Sequence, residues 1–293
     1  MRREKRYEET MASQSLDDRK KEENEKIEEV LKMKNKRLMG IIGLIAAAVI
    51  GTAIYSATAG KDNKAASSNE KAKVGVLQLV SHPSLDLIYK GIQDGLAEEG
   101  YDKDKVDIDF LNAEGDQNKV ATMSKQLVDK DNQVLIGIAT PSAQGLASAT
   151  KDKPIVMGAI TDPVGANLVK DLKKPGGNIT GVSDHNPTEQ QLKLIKELTP
   201  NVKTIGALYS TSEDNSKSQV EEFTKLAEKA GFKVIPYSVP STNEVASTVS
   251  VMTGKVDAIW VPIDNTIASA FSTVVEANKT AKKPIFPSAT ALW

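Results

Sequence analysis

Two uninterrupted apolar runs stand out in the chain: VLIGIA at residues 134–139 and AIWVPI at residues 258–263. Short runs of this kind are typical of strands that are buried on both faces of a parallel sheet. Between the apolar runs, other apolar residues recur at helical spacing, as in Leu85, Ile88 and Ile92. Because strands alternate with helices, the pattern predicts an α/β fold built on parallel sheets.

The order strand, helix, strand, helix, strand occurs twice, beginning at Val74 and again at Thr204. This repetition predicts two Rossmann-like lobes, with lobe 1 and the hinge over residues 73–185 and lobe 2 over residues 186–293. The candidate strands are short and mostly apolar, and they cover residues 74–79, 106–111, 134–138, 155–159, 204–209, 233–239 and 258–261.

The second strand of each lobe has the weakest apolar character. It alternates in VDIDF at residues 106–110 and contains Pro236 in the other lobe, as suits the edge of a sheet. Gly100 and Gly231 follow the helices before these strands, where a left-handed C′ residue is expected. Edge placement predicts the strand order 2-1-3 in both lobes. Ligands of open α/β sheets bind outside the carboxyl ends of the strands, at the switch point between strands 1 and 3.

The switch-point loops of lobe 1 both carry a hydroxyl group followed by proline. One loop contains Ser81 and Ser84, and the other contains Thr140 and Pro141. Thr140 and Pro141 read as the N-cap and first residue of a helix, whose free N–H groups and dipole would bind a carboxylate. We expect Ser81 and Thr140 to cap their helices, a role that is compatible with ligand contact.

Carboxylates also lie close to the predicted hinge. Asp162 follows Thr161 after the fourth strand, and Asp184 follows Ile179 to Val182. Either carboxylate could hold an ammonium group, although Asp162 before proline is also typical of a turn. His185 could line the site or face solvent.

The matching loops of lobe 2, residues 209–216 and 262–266, are rich in hydrogen-bonding side chains. Polar surface loops are ordinary, but the position of these loops at the second switch point makes their side chains candidates for ligand contact. The candidates are Tyr209, Asn215, Asp264 and Asn265.

The overall composition excludes several classes of protein. The chain has 38 basic and 39 acidic residues, so it lacks the positive surplus of a nucleic-acid-binding protein. It contains no cysteine and only two histidines, which excludes disulfides and thiolate chemistry and makes a His-rich metal site improbable. Paired carboxylates could suggest glycoside hydrolysis, but the sequence has neither a metal-binding cluster nor a nucleophile elbow.

The stretch from Leu38 to Ala59 carries no charged residue and is close to the ~20 residues that span a bilayer as a helix. Basic residues precede it, so the positive-inside rule predicts a cytoplasmic segment 1–37, a membrane anchor 38–59 and an outside-facing domain after the linker 60–72. Ala59 also ends a possible signal cleavage site, which would release the domain. Met33 begins a well-formed signal n-region, so we consider it the true start.

Several segments carry a resemblance to a known family. They read VGVLQLVSHPSLDLIYKGIQDGL, GIATPSAQGLASAT, AITDPVGANLV, GGNITGVSD, GALYSTSEDNS and VDAIWVPIDNTIAS. Residues 73–291 resemble the tryptophan/tyrosine (TrpX-like) substrate-binding proteins of ABC transporters of Gram-positive bacteria. The resemblance implies a type I periplasmic-binding-protein fold that closes on an aromatic amino acid and delivers it to a permease and its ATPase. It implies neither a cofactor nor an enzymatic activity.

Other interpretations remain open at this point: a sugar or other small-molecule binding protein of the same fold, a ligand-sensing ectodomain, or an enzyme. The resemblance stops at residues 288–291, where family members continue, so we expect a C-terminally truncated lobe 2. On this expectation the helix around Ile267, Phe271 and Val274 exposes part of its apolar face.

Overall fold

The computed structural model describes residues 71–289. The predicted membrane segment, residues 38–59, lies outside the described residues, as do the polar segment before it and most of the linker after it. No helix within residues 71–289 is long and apolar enough to span a bilayer. The described residues form two parallel sheets with helices packed against them.

The first sheet has five strands in the order β2-β1-β3-β4-β5, and all of its neighbouring strands are parallel. Its strands are β1 (Ala72–Gln78), β2 (Val106–Asn112), β3 (Val134–Ile138), β4 (Ile155–Gly158) and β5 (Ile179–Gly181). The helices of this lobe are α1 (Pro83–Glu98), α2 (Gln117–Asp129) and α3 (Thr140–Ala149).

The second sheet has four parallel strands in the order β7-β6-β8-β9. Its strands are β6 (Thr204–Ser210), β7 (Lys233–Val239), β8 (Ala258–Val261) and β9 (Ile285–Pro287). The helices of this lobe are α4 (Thr188–Leu198), α5 (Asp214–Lys229), α6 (Val245–Thr253), α7 (Asn265–Ser269) and α8 (Phe271–Asn278), with a short 3-10 turn at Thr242–Glu244.

The predicted strand order is confirmed in both sheets. The first strand of each lobe pairs with the second on one side and with the third on the other, and the second strand lies at the edge. The expected left-handed glycines are also confirmed, since Gly100 has φ +87° and Gly231 has φ +91°. The switch points therefore lie where the sequence predicts them.

The sequence prediction misses the two short strands at the far edges, β5 and β9. They read ITG and IFP, and glycine and proline are unfavourable inside a strand. They form because each pairs with a strongly apolar neighbour, β5 with β4 and β9 with β8.

The expectation that the helix around Ile267, Phe271 and Val274 exposes part of its apolar face is wrong for Ile267 and Val274. Ile267 and Val274 are fully buried, and Phe271 packs against the same core. Their cluster includes Val249 and Met252 of α6, which precedes them in the chain. The apolar face is therefore covered mainly by described residues that come earlier in the chain, with Ile285 of β9 also packed against the cluster.

Trp260 of β8 belongs to the core of lobe 2. Its ring stacks on Phe223 of α5 with a centroid separation of 3.9 Å, and its Nε1 donates to Gln191 Oε1 (3.0 Å). Since this side chain is only 2% exposed, it stabilises the lobe and is not available to a ligand.

Candidate functional site

The loop after β1 is held by hydrogen bonds to one carboxylate. Gln78 ends β1, and its Nε2 donates to Val80 O (3.0 Å) and to Asp86 Oδ1 (2.7 Å). Ser81 is exposed and donates to Asp86 Oδ2 (2.8 Å). The buried Gln78 Oε1 has no partner within residues 71–289. Gln78 therefore presents a fixed, unsatisfied acceptor at the carboxyl end of β1.

The predicted capping roles of Ser81 and Thr140 are wrong. The residue before α1 is His82, whose side chain makes no capping bond to the described residues. The residue before α3 is Ala139, whose side chain has no polar atom to cap with. Thr140 occupies the first position of α3 and Pro141 the second, because the helix begins one residue earlier than predicted. Pro141 has no N–H and Ala143 N donates to Ala139 O (3.2 Å), so with no capping side chain the N–H groups of Thr140 and Ser142 are left for another acceptor.

The turn into α3 combines backbone strain with burial. Ala139 has φ +73° and ψ 156°, a conformation that costs energy for any residue except glycine. Thr140 and Ser142 are buried, and Ser142 Oγ has no hydrogen-bond partner in the described part of the chain. Strain of this kind concentrates at ligand sites, so the turn is a candidate anion-binding element.

The two carboxylates near the predicted hinge lie in different environments. Asp162 is half-buried, and its Oδ1 accepts from Gly165 N (2.8 Å), as in an ordinary turn. The buried Asp184 Oδ1 has no partner among the described residues, although Asp184 N donates to Ile160 O (3.3 Å). Burial raises the pKa of Asp184, and the nearby side chain of the buried Thr161 offsets part of this rise. Asp184 is thus the carboxylate that needs a cationic partner.

Glu213 of lobe 2 is fully buried and organises the 262–266 loop, whose last two residues begin α7. It accepts from Asn265 N (3.2 Å) and Nδ2 (2.6 Å), and from Thr266 N and Oγ1 (both 2.8 Å). Charge-assisted bonds of this type are stronger than neutral ones, so the loop has a defined geometry.

Asp264 is the N-cap of α7 and lies beside Glu213. Its Oδ1 accepts from Ile267 N (2.8 Å), and its Oδ2 accepts from Ser210 N (2.6 Å) at the end of β6. Burial and the nearby Glu213 carboxylate raise the pKa of Asp264 to about 8. Both oxygens are occupied, so Asp264 holds β6 and α7 together.

The remaining candidates differ in how free they are to contact a ligand. Asn215 is buried, and its Nδ2 donates to Ile263 O (2.9 Å), while its buried Oδ1 finds no partner within the described ranges. Tyr209 near the end of β6 and Ser84 in the first turn of α1 are half-buried. Asn215 therefore offers a free acceptor with a fixed orientation.

Hydrogen bonds connect the two lobes, one of them buried and the others exposed. They join His82 Nε2 to Asn265 Oδ1 (3.2 Å), Gln117 Nε2 to Ser212 O (3.1 Å), and Gln144 Nε2 to Asp214 Oδ2 (3.1 Å). The lobes are thus in contact at the switch points of both sheets.

Sequence reasoning did not include Gln78, His82, Ser142 or Glu213 among the candidate contacts. His82, Ser142 and Glu213 lie in the loops that were singled out, so their position could have indicated them. The partner of His82 is a residue of the other lobe, which its position does not indicate. Gln78 reads as an ordinary strand residue and carries no local signal.

The site chemistry suits a small zwitterion. A buried carboxylate at the hinge can hold a cation, while the open end of α3 with its hydroxyl groups can hold an anion. Among the described residues no group of three or more His, Asp or Glu side chains could bind a metal. The polar atoms instead converge on the strand ends, where an organic ligand of an open α/β fold binds.

Residues 73–292 match the family model of ABC transporter substrate-binding proteins. The chain is 40% identical over 256 residues to a tyrosine-binding protein of Clostridioides difficile, which covers 85% of this chain and 74% of that protein. A crystal structure from Streptococcus pneumoniae of an ABC domain in complex with L-Trp is 76% identical, covers 76% of each chain and has a TM-score of 0.75. The ligand-free, open structure of a substrate-binding protein of Clostridium difficile is 39% identical, covers 75% of each chain and has a TM-score of 0.54.

These similarities agree with the α/β architecture of two parallel sheets, which is that of the type I periplasmic binding proteins. The family match extends over both sheets and over every loop of the candidate site. This chain belongs to the family of ABC transporter substrate-binding proteins.

Proposed function

We propose that this chain binds an aromatic amino acid, L-tryptophan or L-tyrosine, between its lobes and delivers it to a permease driven by an ATPase. The observation that carries this proposal is Asp184 Oδ1, a buried carboxylate oxygen without a partner among the described residues. A buried carboxylate is costly unless a cation pairs with it, and the ammonium group of an amino acid is such a cation. The tyrosine and tryptophan in the names of the similar proteins support the choice of side chain.

The ligand carboxylate binds at the open end of α3. The first-turn N–H groups and the Ser142 hydroxyl are donors without a capping side chain, and the helix dipole favours a negative charge there. Thr140 adds a second buried hydroxyl on the same turn. L-tryptophanamide, which lacks the charge, should therefore bind more than about tenfold worse than L-tryptophan.

Asn215 provides a contact that distinguishes aromatic ligands. Its Nδ2 is committed to Ile263 O, so its free Oδ1 can accept from the indole N–H of tryptophan or the phenol O–H of tyrosine. Phenylalanine has no such donor and would leave this oxygen unsatisfied. An unmet buried acceptor costs roughly 1 to 3 kcal/mol, so we expect phenylalanine to bind at least about fivefold more weakly.

The proposal is tested by calorimetric titration of the full chain with L-tryptophan, L-tyrosine, L-phenylalanine, L-leucine and a monosaccharide. Asp184→Asn should weaken L-tryptophan binding more than about tenfold, because it removes the charge that pairs with the ammonium group. Indole-3-propionate lacks that group, so its affinity should change much less. Asp162→Asn is the matched control, because Asp162 Oδ1 already accepts a hydrogen bond from Gly165 N within its own turn.

Two results would contradict this proposal. Equal losses for L-tryptophan and indole-3-propionate in Asp184→Asn would mean that Asp184 does not pair with the ammonium group. Tighter binding of the monosaccharide than of any amino acid would favour the sugar-binding interpretation.

We also propose the organisation of the chain around this site. Lobe 1 with the hinge occupies residues 73–185, lobe 2 begins at residue 186, and the uncharged stretch 38–59 anchors the protein so that the lobes face outward. The family match supports an outside-facing position, because these proteins deliver substrate to a transporter. The anchor and the lobe limits rest on the sequence.

A further inference from the structure

The hydrogen bond between His82 and Asn265 differs from the other contacts between the lobes. It joins residues that are 183 positions apart, at the start of α1 in lobe 1 and the start of α7 in lobe 2. Both side chains are buried, with exposed fractions of 7% and 5%. The bonds made by Gln117 and Gln144 are exposed to solvent, where an intramolecular bond adds little.

Glu213 determines which end of the Asn265 amide faces lobe 1. Asn265 Nδ2 donates to Glu213 Oε2 at 2.6 Å, so its Oδ1 is the end that meets His82. Oδ1 can only accept, and His82 Nε2 must therefore carry the proton. His82 Nδ1 is buried without a partner among the described residues, which favours the neutral ring.

We propose that Glu213, Asn265 and His82 form a closure latch, in which a fully buried carboxylate presents Asn265 to the neutral ring of His82 and so slows the release of the bound ligand. The inference rests on the proposed function, because it assigns His82 and Asn265 as positioning residues for that ligand. Separating the lobes breaks the bond, so the latch acts on the dissociation rate more than on the association rate.

The latch depends on pH because the ring must stay uncharged. Burial lowers the pKa of His82, while the hydrogen bond to Asn265 and the Glu213 and Asp86 carboxylates oppose this shift. Asp264 lies beside Glu213 and adds to the acidic surroundings when it is ionised. An exposed histidine ring titrates near pH 6.5, so below that pH it must lose a proton when the lobes close. Closure and affinity therefore weaken as the pH falls below about 6.5.

The test compares three variants of the full chain, solubilised in a mild detergent, by calorimetry and stopped-flow dissociation of L-tryptophan. His82→Phe keeps an aromatic ring but removes the donor, and it should increase the dissociation rate about fivefold or more at pH 7.5. His82→Gln retains an N–H donor and should recover most of the affinity. Because glutamine does not titrate, the affinity of this variant for L-tryptophan should also fall less than that of the wild type between pH 7.5 and 5.5. Gln117→Leu removes an exposed bond between the lobes and should change the rate less than about twofold.

A readout that needs no ligand separates failure of the latch from failure of the proposed function. The chain contains no cysteine, so Lys125→Cys with Lys225→Cys gives one exposed spin-label position in each lobe. The labelled chain that keeps His82 should show two interlobe distances, of which the shorter belongs to the closed form. His82→Phe should deplete the shorter distance, and His82→Gln should retain it. An unchanged dissociation rate in His82→Phe, an equally populated short distance in that variant, or no short distance in the wild type would overturn the latch. If the wild type binds neither tryptophan nor tyrosine, the proposed function fails and the distances alone decide on the latch.

Discussion

Asp264 couples the stability of lobe 2 to pH. Its pKa of about 8 in the folded state lies far above the ~3.9 of an unfolded aspartate, so the folded state binds a proton that the unfolded state lacks between these values. This contribution is complete below about pH 4 and is lost as the pH rises through about 8. Raising the pH from about 6 to about 8 should lower the free energy of unfolding by roughly 1 to 3 kcal/mol, measured by urea denaturation.

Asp264→Asn is the control for this titration. The variant loses an acceptor for Ser210 N or Ile267 N and should be less stable at every pH. The slope of stability against pH is therefore the informative quantity, and it should be shallower than in the wild type. Parallel slopes would show that Asp264 does not carry the raised pKa.

At the scale of elements, the contact between β3 and α3 sets the position of the predicted anion site. A Cβ atom at Gly137 would lie 2.6 Å from Ala143 Cα and 2.7 Å from its N atom, so only glycine allows this approach of strand and helix. Gly137→Ala should push the start of α3 away from the strand ends. We expect a loss of about 1 to 3 kcal/mol in thermal unfolding, and weaker binding of L-tryptophan.

The matched control for this substitution is Gly254→Ala at the end of α6. Gly254 has a right-handed conformation, and an added Cβ would meet only Val251 O at 3.8 Å. This variant should keep the stability and affinity of the wild type. If Gly137→Ala behaves in the same way, the close packing of β3 on α3 does not position the site.

At the scale of the whole molecule, the sequence before residue 60 predicts where the lobes function. A chain anchored by residues 38–59 should stay with the membrane fraction after a carbonate wash, and protease added outside intact cells should digest its lobes. Fractionation followed by immunoblotting with an antibody against lobe 2 measures both properties. Release into the medium with Gly60 at the N-terminus would show that the segment is a cleaved signal.

The sequence by itself determined the alternation of strands and helices and the strand order 2-1-3 in both sheets. This was possible because burial on both faces requires continuous apolar runs such as residues 134–138, while edge strands tolerate Pro236 and alternating charges. The short edge strands β5 and β9 could not be predicted, since their neighbours and not their composition make them strands.

Only the tertiary structure decided which candidate side chains are buried, which have hydrogen-bond partners and which have a shifted pKa. Asp162 and Asp184 were both candidates in sequence, with Asp162 also typical of a turn, and the structure shows that a turn N–H satisfies the first while burial isolates the second. The bond between His82 and Asn265 spans 183 residues, and the raised pKa of Asp264 comes from its burial and from Glu213 beside it. Desolvation and pairing depend on which atoms the fold brings together, so local patterns in the chain cannot determine them.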